Sequence, residues 1–228
     1  MNIKWNNETL FSKGIIVEKI PVITRAKKRF ERYDVPGRNG ALIVDKGTYD
    51  TFICSLSCHF NVEYDINEIK SFLNGFGKLS LDGTTEYEAM VNNQLDFADI
   101  DRSGFKKFTI QFLCNPIKHD INPTEVNILS STTTLTIDGT ANTYPVLEIV
   151  GNDDVSITFN GKTFNLYDLV GSKIYTLDCE SKEIYDNNNN NVSNQMQFDF
   201  PYLIPGENVI SYSGTITSFK IIYKKAFI

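Results

Sequence analysis

Alternation of apolar and polar residues with a period of two is the dominant pattern along this chain. It is longest in residues 51–64, where seven apolar or cysteine positions alternate with mostly polar neighbours: Phe52, Cys54, Leu56, Cys58, Phe60, Val62 and Tyr64. A period of two predicts a β-strand with one buried face. Residues 107–114 repeat the pattern, so the first half of the chain is expected to be rich in strands.

One helix is predicted within this first half. Asp65 occupies an N-cap position, Glu68 follows three residues later as in a capping box, and Gly75 marks the end. Apolar residues recur at helical spacing on one side: Ile66, Ile69, Phe72, Leu73 and Phe76. The segment is therefore expected to form an amphipathic helix that lies on the sheet.

The second half of the chain shows short apolar runs at regular spacing and no helical period. They predict nine strands, at residues 133–137, 146–150, 155–159, 163–166, 173–178, 183–185, 197–200, 207–212 and 218–223. Asn160-Gly161 predicts a two-residue hairpin between two of them, as Asp82-Gly83 does between residues 78–81 and 87–91. Nine strands without a helix are typical of a β-sandwich or jelly roll.

A domain boundary is predicted between the two halves. Residues 117–127 are polar, contain Pro123 and show no period, as expected for a linker. The resulting fold prediction is mainly β. A β-rich α+β domain with one helix is expected over residues 1–118, and a β-sandwich domain over residues 119–228.

Composition limits the possible partners. The 228 residues carry a net charge of −6 with an isoelectric point of about 5.0, which argues against a protein that coats nucleic acid. The first eleven residues lack the apolar core of a secretory signal, and no later run has the length that spans a bilayer. We therefore expect no membrane insertion, synthesis in the cytoplasm, and any contact with DNA to be local.

The sequence offers few residues for catalysis. His59 and His119 have no neighbours at the spacing of a zinc site or a nucleophilic triad. The acidic pairs Asp153-Asp154 and Glu180 with Glu183 are expected to be solvated turns, and the four cysteines to be buried thiols. We accordingly expect no enzyme activity, no metal and no cofactor.

A basic segment, residues 25–40, carries most of the functional argument. It has six Lys and Arg against two acidic residues and ends in a Pro-Gly-Arg-Asn-Gly turn. One interpretation is a solvated charged face, and the other is a subunit interface or the wall of a passage for a polyanion. The candidate interface or channel residues are Arg25, Lys28, Arg29, Arg32, Pro36, Gly37, Arg38 and Gly40.

Several segments resemble one family when they are taken in order. They are FSKG (11–14), ERYDVPGRNGALIVDKGTYD (31–50), FLNGFGKLSLDG (72–83) and KKFTIQFLCNP (106–116), followed by YPVLEI (144–149), the Asn160-Gly161 hairpin, IYTLDCESKEIY (174–185) and FPYLIPGENVISYSG (200–214). This combination is similar to the distal tail protein family of long-tailed bacteriophages. The resemblance covers nearly the whole chain.

The resemblance implies a structural protein of the tail tip, in virions or in prophage-derived tails. In such a protein the N-terminal domain forms a homo-hexameric ring around a DNA channel, and a galectin-like sandwich forms the C-terminal domain. Expected partners are further copies of the chain, the tail tube protein, and a tail-associated lysin or a fibre or baseplate protein. DNA is expected only as passing cargo.

Two alternatives come from other classes of protein. A carbohydrate-binding module or host adhesin would use a stacking aromatic residue, yet the only tryptophan is Trp5 in the first half, so that Tyr or Phe would have to substitute. A cell-wall hydrolase would need a cleft with paired carboxylates.

Overall fold

The structure, a computed structural model, describes residues 2–19, 21–22, 25–60, 65–95 and 107–228. The chain divides into two compact units, Met1–Lys118 with Ile228, and His119–Phe227. Each unit has a hydrophobic core of its own. The prediction of a mainly β protein is confirmed, and in the described residues the chain has a single α-helix.

The first unit is built around one antiparallel sheet. Its elements are β1 (Lys4–Trp5), β2 (Glu8–Thr9), β3 (Ile15–Val17), β4 (Lys28–Tyr33), β5 (Leu42–Tyr49), β6 (Phe52–Phe60), α1 (Ile66–Phe72), β7 (Phe76–Ser80), β8 (Thr85–Val91) and β9 (Lys107–Asp120). The main sheet has the order β2-β1-β7-β8-β9-β6-β3, while β4 and β5 form a separate two-stranded sheet.

The alternating apolar residues of the first half lie on the inner face of this sheet. Cys54, Leu56 and Cys58 of β6 are almost fully buried, and β9 pairs beside them with Leu56 opposite Ile110. This part of the predicted strand is confirmed, whereas Val62 and Tyr64 lie outside the described residues. The apolar face of a sheet must be shielded from water. Here residues of α1 and of the N-terminal strands pack in the core that covers this face.

The helix begins and ends close to where the sequence predicts. The Asp65 carboxylate accepts a hydrogen bond from the Asn67 amide at 2.8 Å, and Ile69 is buried in the core. The Trp5 indole N–H donates to the Phe72 carbonyl at 2.9 Å, which ties the last turn to β1. Phe76 was expected on the apolar side of the helix, but it begins β7 and is 82% exposed, because the chain turns at Gly75 with φ +79°.

The second unit contains no α-helix. Its remaining strands are β10 (Thr124–Asn127), β11 (Thr132–Ile137), β12 (Val146–Phe159), β13 (Lys162–Leu169), β14 (Tyr175–Asp178), β15 (Glu183–Tyr185), β16 (Met196–Gln197), β17 (Gly206–Tyr223) and β18 (Ala226–Phe227). Asn160 and Gly161 both have positive φ and join β12 to β13, which confirms the predicted primed hairpin.

Two long strands, β12 and β17, bend and contribute to both layers of this unit. The first part of β12 pairs with β14, its last part pairs with β13, and β17 pairs with it on the other side throughout. The sequence predicted four separate strands here, at 146–150, 155–159, 207–212 and 218–223. They are halves of two strands, because register shifts near Gly151 bend the pair without breaking it.

The expected linker at residues 117–127 is largely strand. β9 extends to Asp120, and β10 pairs antiparallel with the end of β17, with Thr124 opposite Tyr223. The prediction of a linker was wrong because it rested on the polarity of the segment. These strands are only half-buried, so their polar side chains can stay in contact with solvent.

The asparagine-rich run at residues 187–191 is organised by Asp186. This buried carboxylate accepts hydrogen bonds from the backbone amides of Asn190 and Asn188 at 3.0 and 2.9 Å, and it pairs with Lys173 at 3.0 Å. The Asn190 amide, followed by Lys173, holds the pKa of Asp186 well below its usual range. The backbone of this run is therefore fixed by its hydrogen bonds to the Asp186 carboxylate.

We predict that Gly214→Ala destabilises the second unit more than Gly161→Ala does. Both glycines have positive φ, at +96° and +79°, so an alanine costs about 1 to 2 kcal/mol in backbone strain at either site. At Gly214 an added Cβ would also lie 2.6 Å from the Asp154 carbonyl oxygen, whereas Gly161 has open space. Urea unfolding of the two variants measures the difference, and equal losses would contradict this account of the bend.

We predict that Asp186→Asn lowers the melting temperature at pH 7 and that the difference from wild type narrows in acid. Because the folded-state pKa of Asp186 is depressed, its stabilisation is complete above the unfolded pKa of about 4 and is lost as the pH falls below it. Melting curves from pH 2 to 7 measure this. The control is Asp138→Asn, whose exposed carboxylate lies 3.8 Å from Lys225 and should contribute little. An Asp186→Asn deficit that does not change with pH would contradict the assignment.

Candidate assembly interface

The basic segment lies in a β-hairpin, here called the arm and defined as residues 25–50. Its strands β4 and β5 pair with each other, with Tyr33 opposite Leu42 and Lys28 opposite Tyr49. They join no other sheet in the part of the chain that the structure describes. Two strands alone cannot bury a core, and isolated hairpins are only marginally stable in water. Most residues of both strands are exposed.

The tip of the arm is a tight turn, as its sequence predicts. The Arg38 amide donates to the Val35 carbonyl at 3.2 Å, with Pro36 second and Gly37 third at φ +79°. This combination of proline and a positive-φ glycine is that of a type II turn. Gly40 follows with φ +76°, and the exposed Arg38 side chain is thus carried on a well-defined loop at the end of the hairpin.

The base of the arm contains a bulge. Register between the strands shifts between Lys28 and Phe30, leaving three residues of β5 opposite Arg29. Gly47 adopts φ +69° there, and its amide donates to the Asp45 carboxylate at 2.8 Å. A bulge of this kind adds twist and ends regular pairing near the point where the arm leaves the main sheet.

Most of the basic side chains in the arm have acidic partners within it. Lys28 pairs with Asp45, Arg29 with Asp50 at 2.5 Å, Arg32 with Asp34 at 3.3 Å, and Lys46 with Glu31. The hydrogen bond that Lys28 donates to Asp45 lowers the pKa of Asp45, and the same bond raises the pKa of Lys28. Within the described residues, Arg25, Lys27 and Arg38 have no such partner.

The charge of the arm is therefore smaller than residues 25–40 alone suggest. Over residues 25–50 there are seven Lys and Arg against four Asp and Glu, a net charge of +3. Because the net charge of the whole chain is −6, the residues outside the arm together carry a net charge of −9. A weakly basic arm on an acidic body is suited to meet the body of another copy, because their charges are complementary.

Apolar side chains are exposed on both faces of the arm. Phe30 and Ile43 lie on one face and are 49% and 64% exposed, while the other face carries Tyr33, Leu42 and Val44. Exposed apolar groups that form a contiguous surface are typical of interaction sites. The sequence shows part of this signal in the apolar run at 41–44, which does not alternate as a half-buried strand would.

All eight candidate residues lie in the arm. Lys28, Arg29 and Arg32 project from β4, Pro36, Gly37 and Arg38 form the turn, and Arg25 and Gly40 flank these elements. Sequence analysis missed the acidic partners of the basic side chains, because Asp45 and Asp50 are distant along the chain. It also missed the exposed apolar surface of β5.

A second exposed apolar surface lies on the outer face of the main sheet of the first unit. It is here called the outer patch and consists of two cross-strand pairs, Phe76 with Met90 and Ile53 with Leu113. Phe76 and Ile53 are 82% and 48% exposed, and a depression of about 540 Å³ is lined by residues that include Phe76, Met90 and Leu113. Lys78 and Glu88 add polar groups beside these apolar side chains.

The other residues that sequence analysis singled out do not assemble into a catalytic site. His59 lies half-buried on the outer face of β6 with its Nδ1 3.3 Å from Glu18, and His119 lies at the end of β9. All four cysteines are buried, and burial raises the pKa of the Cys54 thiol to about 11. In the ranges that the structure covers, no group of His, Cys, Asp and Glu has the arrangement of a metal site.

The helices in the described residues include none with the length and apolar character needed to cross a membrane.

Comparison with protein families identifies the class of the second unit. Residues 138–227 match the model of the siphovirus-type tail component, C-terminal domain. A search of curated proteins finds no significant match. The match lies within the second unit and covers the second-half segments that resemble distal tail proteins.

Comparison with solved structures extends the likeness to the whole chain. The crystal structure of the Dit (gp 19.1) protein of phage SPP1, described as a paradigm of hub adsorption apparatus in phages that infect Gram-positive bacteria, aligns over 100% of this chain and 99% of its own with a TM-score of 0.79 at 12% identity. Structures of the phage P2 baseplate in its activated conformation, with Ca and with Sr, align over 95% of this chain and 92% of theirs with a TM-score of 0.49 at 8% identity. The chain therefore has the fold of a phage distal tail protein, and the resemblance found in the sequence is confirmed.

Proposed function

We propose that this protein is the structural hub of a phage tail tip and that it assembles through its arm into a homo-hexameric ring around a DNA channel. The observation that carries the proposal is the arm, a hairpin that has apolar side chains exposed on both faces and that pairs with no other strand in the described part of its unit. Such a hairpin gains stability when a second surface covers it.

In a ring of identical copies, the arm and the surface that receives it belong to the same chain. In a cyclic assembly each subunit offers one surface to the next subunit and a different surface to the previous one. The arm is one of these surfaces in our proposal, and the outer patch of the neighbouring copy is the other. Phe30 and Ile43 of the arm, or Tyr33 and Leu42, would then cover Phe76 of the neighbour.

Charge complementarity favours the same pairing. The arm has a net charge of +3, whereas the rest of the chain is strongly acidic. In this arrangement Arg38, which has no acidic partner within the described residues, meets carboxylates of the neighbouring subunit. The alternative position of the arm, on the channel wall, would expose the same residues to passing DNA.

The family and the fold support the remaining parts of the proposal. A hub connects the tail tube protein to a tail-associated lysin or to fibre and baseplate proteins, and it is located at the tail tip of the virion after synthesis in the host cytoplasm. The Dit protein of phage SPP1, whose fold this chain shares, is described as part of a hub adsorption apparatus. The role is structural and requires no catalytic residue.

We predict that the double substitution Arg32→Glu with Arg38→Glu disrupts self-assembly. Like charges brought together across an interface cost several kcal/mol, so association should weaken by about tenfold or more. Light scattering coupled to size exclusion measures the mass. The wild type should elute at a multiple of the 25.9 kDa monomer, six in the complete ring, and the variant should shift toward the monomer.

The matched control for this experiment reverses the charge of two exposed lysines outside the arm, in the double variant Lys19→Glu with Lys70→Glu. It changes the net charge by the same amount and should leave the mass unaltered. A wild-type protein that stays monomeric at high concentration, or an arm variant that keeps the wild-type mass, would contradict assembly through the arm.

We also predict that Phe76→Ser weakens assembly without lowering the melting temperature of the monomeric protein. Phe76 is mostly exposed, so its removal costs the isolated subunit little, whereas burial of a phenyl group at an interface contributes about 2 kcal/mol or more. The same mass measurement serves as the test, with Phe11→Ser, another exposed phenylalanine of the first unit, as the control. If Phe76→Ser and Phe11→Ser assemble equally well, the outer patch is not the receiving surface.

A further inference from the structure

The second unit contains a cavity that the proposed assembly does not use. Its volume is about 660 Å³, within the range of about 300 to 1,000 Å³ typical of small-molecule sites. Buried Phe159, Phe164 and Cys179 contribute to its lining. The cavity lies entirely within this unit.

Two tyrosines stand side by side at this cavity. Thr143 and Leu203 form an antiparallel bridge with reciprocal backbone hydrogen bonds of 2.9 and 2.8 Å, which places Tyr144 beside Tyr202. The ring centroids are 6.2 Å apart and the planes tilt by 55°. Tyr144 is 49% exposed, so this aromatic surface is open to a ligand.

A third aromatic ring is held at the cavity by strained backbone. Phe198 has φ +78°, a conformation that bulky residues rarely adopt, and its side chain is 64% exposed. Strain of this kind persists only where the surrounding structure enforces it, and it concentrates at functional sites. Because the Phe198 side chain is exposed and its backbone is strained, this arrangement does not stabilise the isolated subunit.

Polar groups accompany the aromatic rings. The Lys162 ammonium lies 5.2 Å from the centroid of Tyr202 and donates to its hydroxyl at 3.3 Å, and exposed Lys182 and Asp199 also line the cavity. The Asn160 amide, although adjacent, is already used, since it bonds Asn208 and the Val209 backbone. The two lysines therefore supply hydrogen-bond donors to the cavity, and the Asp199 carboxylate supplies an acceptor.

We propose that this cavity is a saccharide-binding site, with Tyr144, Tyr202 and Phe198 as stacking surfaces and Lys162 and Asp199 as hydrogen-bonding groups. The C–H groups on one face of a pyranose ring carry a slight positive charge and pack against the negative face of an aromatic ring. The hydroxyl groups at the edge of the sugar need donors and acceptors together, which Lys162 and Asp199 provide. This binding would add recognition of a glycan to the structural role and does not depend on ring formation.

The test is binding of the full-length protein to an array of immobilised saccharides from bacterial cell surfaces. Titration calorimetry follows with the saccharide that gives the strongest signal. We expect at least one saccharide to bind. Tyr202→Ala and Tyr144→Ala should each weaken binding by about tenfold or more, which is a loss of about 1.4 kcal/mol or more, because each removes a stacking ring. Phe11→Ala removes an exposed ring of the first unit and should leave the affinity unchanged.

Circular dichroism and the oligomeric mass of each variant are measured in parallel. If Tyr202→Ala alters the fold, Lys162→Ala, whose exposed side chain lies outside the core, replaces it in the comparison. A protein that binds no saccharide on the array overturns the proposal. Binding that persists at wild-type affinity in the Tyr144, Tyr202 and Lys162 variants overturns it as well, because the site must then lie elsewhere. Neither result changes the light-scattering outcome for the arm, so the two proposals fail independently.

Discussion

An antiparallel sheet is stable in water only when at least one of its faces is covered, and this constraint organises the whole chain. In the first unit the inner face of the main sheet is buried with α1 and the short N-terminal strands. In the second unit the bent strands β12 and β17 let one continuous sheet form both layers and cover itself. The arm does not satisfy the constraint by itself, since both of its faces are exposed.

This difference distinguishes the two units, which have cores of their own, from the arm, through which we propose that the protein assembles. Both units have cores of their own, with residues such as Leu56 and Ile157 that are fully buried. The arm instead has ion pairs between exposed groups, which contribute little to stability, and a turn that fixes its tip. A hairpin that is well specified in geometry but poor in buried surface is suited to complete its packing on another subunit.

Much of the fold could be predicted because its signals are local. The alternation in β6, the Asp65 cap and the Asn160-Gly161 turn each depend on residues close together in the sequence. The division of β12 and β17 into four strands was wrong because a bend near Gly151 and a chain break look alike when partner strands are unknown. The arm turn was visible in the sequence, but the ion pair of Lys28 with Asp45, the outer patch, and Tyr144 beside Tyr202 depend on pairing between distant residues.

Hydrogen exchange of the arm amides, followed as the protein is diluted from its assembled to its monomeric form, tests the central claim most directly. If the arm packs on a neighbouring subunit, amides of β4 and β5 should exchange slowly at high concentration and much faster in the monomer. Amides of β6 and β9 within the core should change little and serve as the internal reference. Arm amides that exchange equally fast in the assembled and monomeric protein would contradict the account.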